Sequence, residues 1–176
     1  RIAELEQELR DVSGLVRTDP LTGALNRRGF DELLERELAR AERHSHPLAL
    51  ALLDLDDFHQ TNSSYGHPGG DAILRHLVTV CQLLLRSTDT IARIGGDEFV
   101  LLMPETPGAD SMSTVLRLQR SLAQRPVELD GHRVLVHFSA GLSQWQPGET
   151  ADALLKRADA ALYAAKRVGK NRVQAG

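Results

Sequence analysis

The sequence predicts an α/β fold: an α+β sandwich in which helices flank a mixed central sheet, preceded by a helical stub. Three observations predict it. Residues 48–53, Leu-Ala-Leu-Ala-Leu-Leu, form an unbroken apolar run, the pattern of a strand buried on both faces. Two more apolar runs flank Gly95-Gly96-Asp97-Glu98, which reads as a β-hairpin with a tight two-residue glycine turn. Between these runs, apolar residues recur every three or four positions, so helices cover the sheet.

The elements follow in order. In residues 1–17 the apolar positions are Ile2, Leu5, Leu9, Val12 and Val16, a heptad seam with Glu, Gln and Arg between. Gly14 is expected to weaken its end. Two readings stay open here, a helix packed on the domain's own flank or the tail of a longer coiled coil. Asp19-Pro20-Leu21-Thr22-Gly23 breaks the helix. A second helix is expected from about Asn26 to His44, with Phe30, Leu33, Leu34, Leu38 and Ala41 on one face. The apolar strand ends at Asp54-Leu55-Asp56-Asp57. Residues 60–70 read as polar turns, and residues 71–85 as a helix turning Ile73, Leu74, Leu77, Val78 and Cys81 inward. The hairpin strands are expected at 90–94 and 99–104. A helix over 109–124, a strand over 134–138 reached through Asp130-Gly131, and a helix over 151–168 stopped by Gly169 complete the chain.

The composition narrows the function classes. The chain has 176 residues, 41% hydrophobic and 26% charged, which suits one globular domain with an appendage. The net charge of −3 argues against a general nucleic-acid binder. Cys81 is the only cysteine, so no internal disulfide or Cys-built metal site is possible, and a reducing, cytoplasmic location fits. No apolar run has the length of a membrane span, so this fragment is expected to make no direct membrane contact. The chain opens Arg1-Ile2-Ala3 rather than with Met, which reads as part of a longer, multidomain or membrane-anchored protein.

Two acidic clusters carry chemistry. Asp54-Leu55-Asp56-Asp57 ends a buried strand, and Asp97-Glu98 sits in a hairpin turn. A hairpin beside a central strand brings such clusters together. Packed carboxylates repel unless a cation neutralises them. Mg²⁺ takes a few carboxylates plus phosphate oxygens and water, which would make this a site for metal-assisted phosphoryl transfer. Two solvated turns are the alternative, and spacing alone leaves both open.

The residues of the hairpin go further. Arg93-Ile94-Gly95-Gly96-Asp97-Glu98-Phe99 contains Gly-Gly-Asp-Glu-Phe, and the chain resembles GGDEF domains, the family of bacterial diguanylate cyclases. Other family-like stretches occur in order: residues 19–23, Asn26-Arg27-Arg28, residues 54–58, Tyr65-Gly66-His67, Gly70-Asp71, residues 158–163, Ala165-Lys166 and residues 169–172. The resemblance runs from about Thr18 to Val173. It divides the chain into a coiled-coil linker, residues 1–17, from an absent sensor region, and a catalytic domain, residues 18–176.

The resemblance implies a fold similar to nucleotidyl cyclases and polymerase palm domains. It implies condensation of two GTP into cyclic di-GMP and two pyrophosphates at a homodimer interface. Asp54, Asp97 and the backbone carbonyl of Leu55 would hold Mg²⁺ or Mn²⁺. Glu98 would help activate the 3′-hydroxyl or bind a second metal, and Gly95 and Gly96 would let the backbone approach the phosphates. Asn62 and Asp71 match guanine-reading positions, since guanine offers adjacent N–H donors to a carboxylate; Asp71 also reads as an N-cap. Lys166 and Lys170, two of only three lysines, match phosphate-binding positions, with helix C-terminal charge as the alternative. Arg86-Ser87-Thr88-Asp89 matches the RxxD product-inhibition site, where Arg117 would assist and Arg40 is a weaker candidate; a helix-end ion pair is the plainer reading. Two positions depart from the family. His59 stands where Lys usually contacts the triphosphate, and Ser63 where Asp is common. These departures keep a second reading open: a weakly active or inactive domain that serves as a cyclic di-GMP or GTP receptor.

Overall fold

A computed structural model describes residues 1–176, the side chains at positions 13 and 14 apart. The expectation placed on Gly14 lies outside the described residues. Among the described residues, five helices and seven strands follow in the order α1 (Ile2–Leu15), α2 (Arg27–His44), β1 (Leu48–Leu55), α3 (Phe58–Leu84), β2 (Thr90–Arg93), β3 (Glu98–Pro104), α4 (Gly108–Gln124), β4 (Val127–Leu129), β5 (His132–Val134), β6 (Phe138–Gln144), α5 (Ala151–Val168) and β7 (Val173–Ala175).

The main sheet has the order β2-β3-β1-β6-β7. Only the β6–β7 pair is parallel, so the sheet is mixed, as predicted. β1 is its middle strand and is buried along its whole length. Its side chains alternate between two cores. Ala49, Ala51, Leu53 and Leu55 face the core built with α3 and α4. Leu48, Leu50 and Leu52 face the core built with α2 and α5. Each buried leucine contributes about 1.5–3 kcal/mol, which fixes the strand that carries Asp54.

Capping sets the helix starts. Asn26 Oδ1 accepts from Gly29 N at 2.9 Å, and Thr150 Oγ1 accepts from Ala153 N at 3.2 Å. Asn26 also grips the incoming chain, donating from Nδ2 to Val16 O at 3.1 Å.

Several sequence expectations need correction. Residues 60–70 are not turns. α3 begins at Phe58 and breaks only at Gly66, whose φ of 72° is left-handed, and Pro68 then opens the second half. Asp71 therefore lies inside that helix and does not cap it. Residues 134–138 are not one strand either. β5 ends at Val134 and pairs with β4 in a separate hairpin, while the sheet strand is β6. β7 was absent from the expected elements. The hairpin turn is longer than two residues, because Arg93 pairs with Phe99 across it.

The heptad seam of α1 does not pack on the domain. Ile2 is 74% exposed, and Leu5, Leu9, Val12 and Val16 are exposed with it, so the flank-packing alternative fails. Cys81 is buried in the core, as expected, and burial pushes its thiol far above the ordinary range. Trp145 is a core residue whose Nε1 donates to Glu149 O at 3.0 Å.

Candidate active site

The two acidic clusters meet. Asp54, the penultimate residue of β1, pairs in register with Glu98 on one side and Ser139 on the other. The Leu55 N–H donates to Asp97 O at 3.2 Å, which brings the hairpin turn over the end of β1. Asp54 is 9% exposed. Burial is the main force raising the Asp97 carboxyl above the ordinary carboxylate range, followed by the charge of Asp54, with a smaller push from Glu98; a backbone hydrogen bond pulls the other way.

Cations surround this pair. Lys166, in the last turn of α5, bonds through Nζ to Asp54 Oδ2. Lys170 Nζ donates to Asp57 Oδ1 at 3.0 Å, which holds its ammonium above the ordinary lysine range. Asp54, Leu55, Asp57, His59, Asp97, Lys166 and Lys170 line one open cleft of about 410 Å³. Lys170 lies outside α5, which ends at Val168. It stands beyond the Gly169 cap, at φ 61°.

The donor set fits a hard cation. Among the described residues, no group of three or more His, Cys, Asp or Glu side chains converges as a self-contained metal cage. Two carboxylates on one cleft would leave most coordination positions to phosphate oxygens and water, the manner in which Mg²⁺ is held.

The hairpin turn is held from behind. Arg93 donates through Nε and Nη2 to Gly96 O, at 3.1 and 2.8 Å, and through Nη1 to Asp19 at 3.3 Å. Asp19 also accepts from Thr22 N and Oγ1. The break between α1 and α2 thus supports the turn, a role the sequence reading missed; Arg93, two positions ahead of the signature, was the available signal. Gly95 and Gly96 are not needed for left-handed φ. A Cβ on Gly95 would stand 3.1 Å from Glu98 Oε2, whereas Gly96 faces open space.

Asn62 and Asp71 stand apart from the cleft walls. They sit on the two halves of α3, across the Gly66 kink. Asn62 Oδ1 is buried without a hydrogen-bond partner, and a Cβ on Gly70 would lie 1.9 Å from it. Only glycine at 70 leaves room for that oxygen.

Arg86 and Asp89 form the plain ion pair. Arg86 donates to Asp89 from N, Nε and Nη2 at 3.1, 3.4 and 3.3 Å. Nη2 also reaches Pro104 O at 3.2 Å and bonds to Thr106 Oγ1. Arg117 Nη2 donates to Leu84 O at 3.2 Å, beside the pair. A cleft of about 370 Å³ opens next to Arg86 and Asp89. The four residues of β2, roughly 13 Å of strand, separate Asp89 from the signature turn. Arg40 lies elsewhere, 3.6 Å from Glu105.

Comparison with known proteins gives a consistent family. The model of the family described as "Diguanylate cyclase, GGDEF domain" matches residues 16–172. Diguanylate cyclase DgcP of Pseudomonas aeruginosa is 38% identical over 181 residues, a match covering 99% of this chain and 27% of that protein. The chain thus spans about a quarter of that relative's length. The coiled coil and GGDEF domain of DgcB from Caulobacter crescentus, solved in complex with cyclic di-GMP, superposes with a TM-score of 0.87 at 32% identity, covering 99% of this chain and 93% of that one. Diguanylate cyclase SiaD of Pseudomonas aeruginosa, solved with its activator SiaC, superposes with a TM-score of 0.88 at 35% identity, covering 99% and 68%.

Proposed function

Because the chain belongs to the GGDEF domain family of diguanylate cyclases, we propose that it condenses two GTP molecules into cyclic di-GMP and two pyrophosphates. The observation that carries this reading is the meeting of Asp54 and Asp97 at the end of β1, with Lys166 and Lys170 on the same cleft. Asp54, Asp97 and the Leu55 carbonyl would hold Mg²⁺ or Mn²⁺, which when bound neutralises the triphosphate and activates the attacking hydroxyl. Lys166 and Lys170 bind phosphate oxygens in exchange for their present carboxylates. Glu98, exposed beside the pair, accepts the 3′-hydroxyl proton or joins a second metal. Asn62, whose buried oxygen has no donor, and Asp71 read the guanine N–H groups.

The product has two phosphodiester bonds, and each chain offers one cleft, so two chains face each other as a homodimer. The exposed seam of residues 1–17 supports a coiled-coil linker from an upstream sensor, with residues 18–176 as the catalytic domain. Arg86, Asp89 and Arg117 border a separate cleft that suits a returning product. The second reading, a cyclic di-GMP or GTP receptor, is favoured by His59 on the cleft wall where a lysine would grip phosphate. No helix of the described residues is long and apolar enough to cross a membrane.

The test is incubation with GTP and Mg²⁺, followed by separation of products. Two pyrophosphates per cyclic di-GMP, abolished by EDTA, support the cyclase. Nucleotide binding without product favours the receptor.

A further inference from the structure

We infer that Asp56 is a positioning residue: it anchors a left-handed turn that aims Lys170 into the nucleotide cleft. The inference rests on the nucleotide-site reading above. Three consecutive residues after α5 have positive φ, Gly169 at 139°, Lys170 at 61° and Asn171 at 48°. Glycine takes this conformation freely and asparagine tolerates it, but a lysine Cβ crowds the following carbonyl oxygen. Such a turn persists only where its surroundings hold it.

Hydrogen bonds hold it at each residue. Gly169 N and Lys170 N both donate to Ala165 O, the latter at 3.2 Å, and Gln119 Nε2 donates to Asn171 Oδ1 at 3.1 Å. The backbone bond made to a carboxylate is shorter: Asn171 N donates to Asp56 Oδ2 at 2.8 Å. Asp56 is itself fixed to the sheet. Its Oδ1 accepts from Ser139 Oγ at 2.7 Å, and its N–H donates to His137 O at 2.9 Å. Both carboxylate oxygens are therefore engaged by protein donors. Three neighbouring residues divide the labour: Asp54 faces the cation site, Asp56 fixes the turn, and Asp57 holds the Lys170 ammonium at 3.0 Å until a phosphate replaces it.

The conservative variant separates positioning from metal ligation. In Asp56→Asn, the amide oxygen can still accept from Asn171 N while its NH₂ donates to Ser139 Oγ. The anchor survives and the charge is lost. Asp56→Ala removes both. Titration of the chain with a non-hydrolysable GTP analogue and Mg²⁺ should show Asp56→Ala weaker by roughly tenfold, the scale of one charge-assisted hydrogen bond. Lys170→Ala should lose about as much, the double variant no more than Lys170→Ala alone, and Asp56→Asn only a small fraction. Hydrogen exchange of the Asn171 amide in the unsubstituted chain tests the anchor even if Asp56→Ala does not fold: a protected amide supports it. Free exchange, additive losses, or Asp56→Asn as damaged as Asp56→Ala would each overturn the positioning role. An unsubstituted chain that binds no GTP analogue overturns the nucleotide reading itself.

Discussion

The backbone N–H of Leu55 donates to the carbonyl oxygen of Asp97 at 3.2 Å. One hydrogen bond thus joins the end of the central strand to the turn of the signature hairpin, 42 positions later in the chain. Asp54 and Asp97 are held together by backbone rather than by attraction, since their carboxylates repel. That separation of structure from charge sets the first prediction.

Asp97→Asn should lower turnover by on the order of 10²–10³ or more, the scale of losing one preorganised electrostatic group. It should not unfold the domain. The carboxyl of Asp97 is raised above its ordinary range, so the folded state holds its proton longer than the unfolded chain does. Metal-free stability therefore falls as pH rises from the ordinary Asp range through the raised one. Denaturation in EDTA at several pH values should show that fall in the unsubstituted chain and a reduced fall in Asp97→Asn.

His59→Lys should tighten GTP binding by roughly tenfold, because a charged donor then joins Lys166 and Lys170 on the cleft wall. Isothermal titration measures it. Unchanged affinity and turnover would remove position 59 from the phosphates.

Replacing Arg86 and Asp89 together with alanine should relieve slowing by product in progress curves. It should also cost about 1–2 kcal/mol of stability, because Arg86 ties the Pro104 carbonyl to the loop. Undiminished slowing would place product binding elsewhere.

Gly141→Ala should destabilise the domain without touching the cleft. A Cβ there would stand 2.0 Å from Ala158 O and 2.2 Å from Leu162 N, inside the backbone of α5. Overpacking of this kind should lower the thermal midpoint by about 3–10 °C. A midpoint equal to that of the unsubstituted chain would mean α5 packs less closely.

The sequence carried the parts of the fold that rest on periodicity. β1 and the hairpin strands were legible as apolar runs, and α2, α4 and α5 because their apolar residues recur every three or four positions. β6 was not, since Gly141 and Ser143 are small for a reason that lies on another element: the backbone of α5 packs directly against them. The first half of α3 was hidden because its residues 60–64 are polar and its break falls at Gly66, after the helix has begun. In the site, Asp54 and Asp97 were readable as clustered carboxylates. Asp56 was not distinguished from them, because Ser139 and Asn171 lie 83 and 115 positions away. Arg93 was passed over for the same reason: its partner Asp19 is 74 positions away.

The most direct test is cyclic di-GMP formed from GTP and Mg²⁺ per chain, measured across a range of protein concentrations. Two facing half-sites predict product whose specific activity rises with concentration as chains pair, and which disappears on adding EDTA or substituting Asp97. No cyclic di-GMP at any concentration, from a folded chain that binds GTP, would contradict the account.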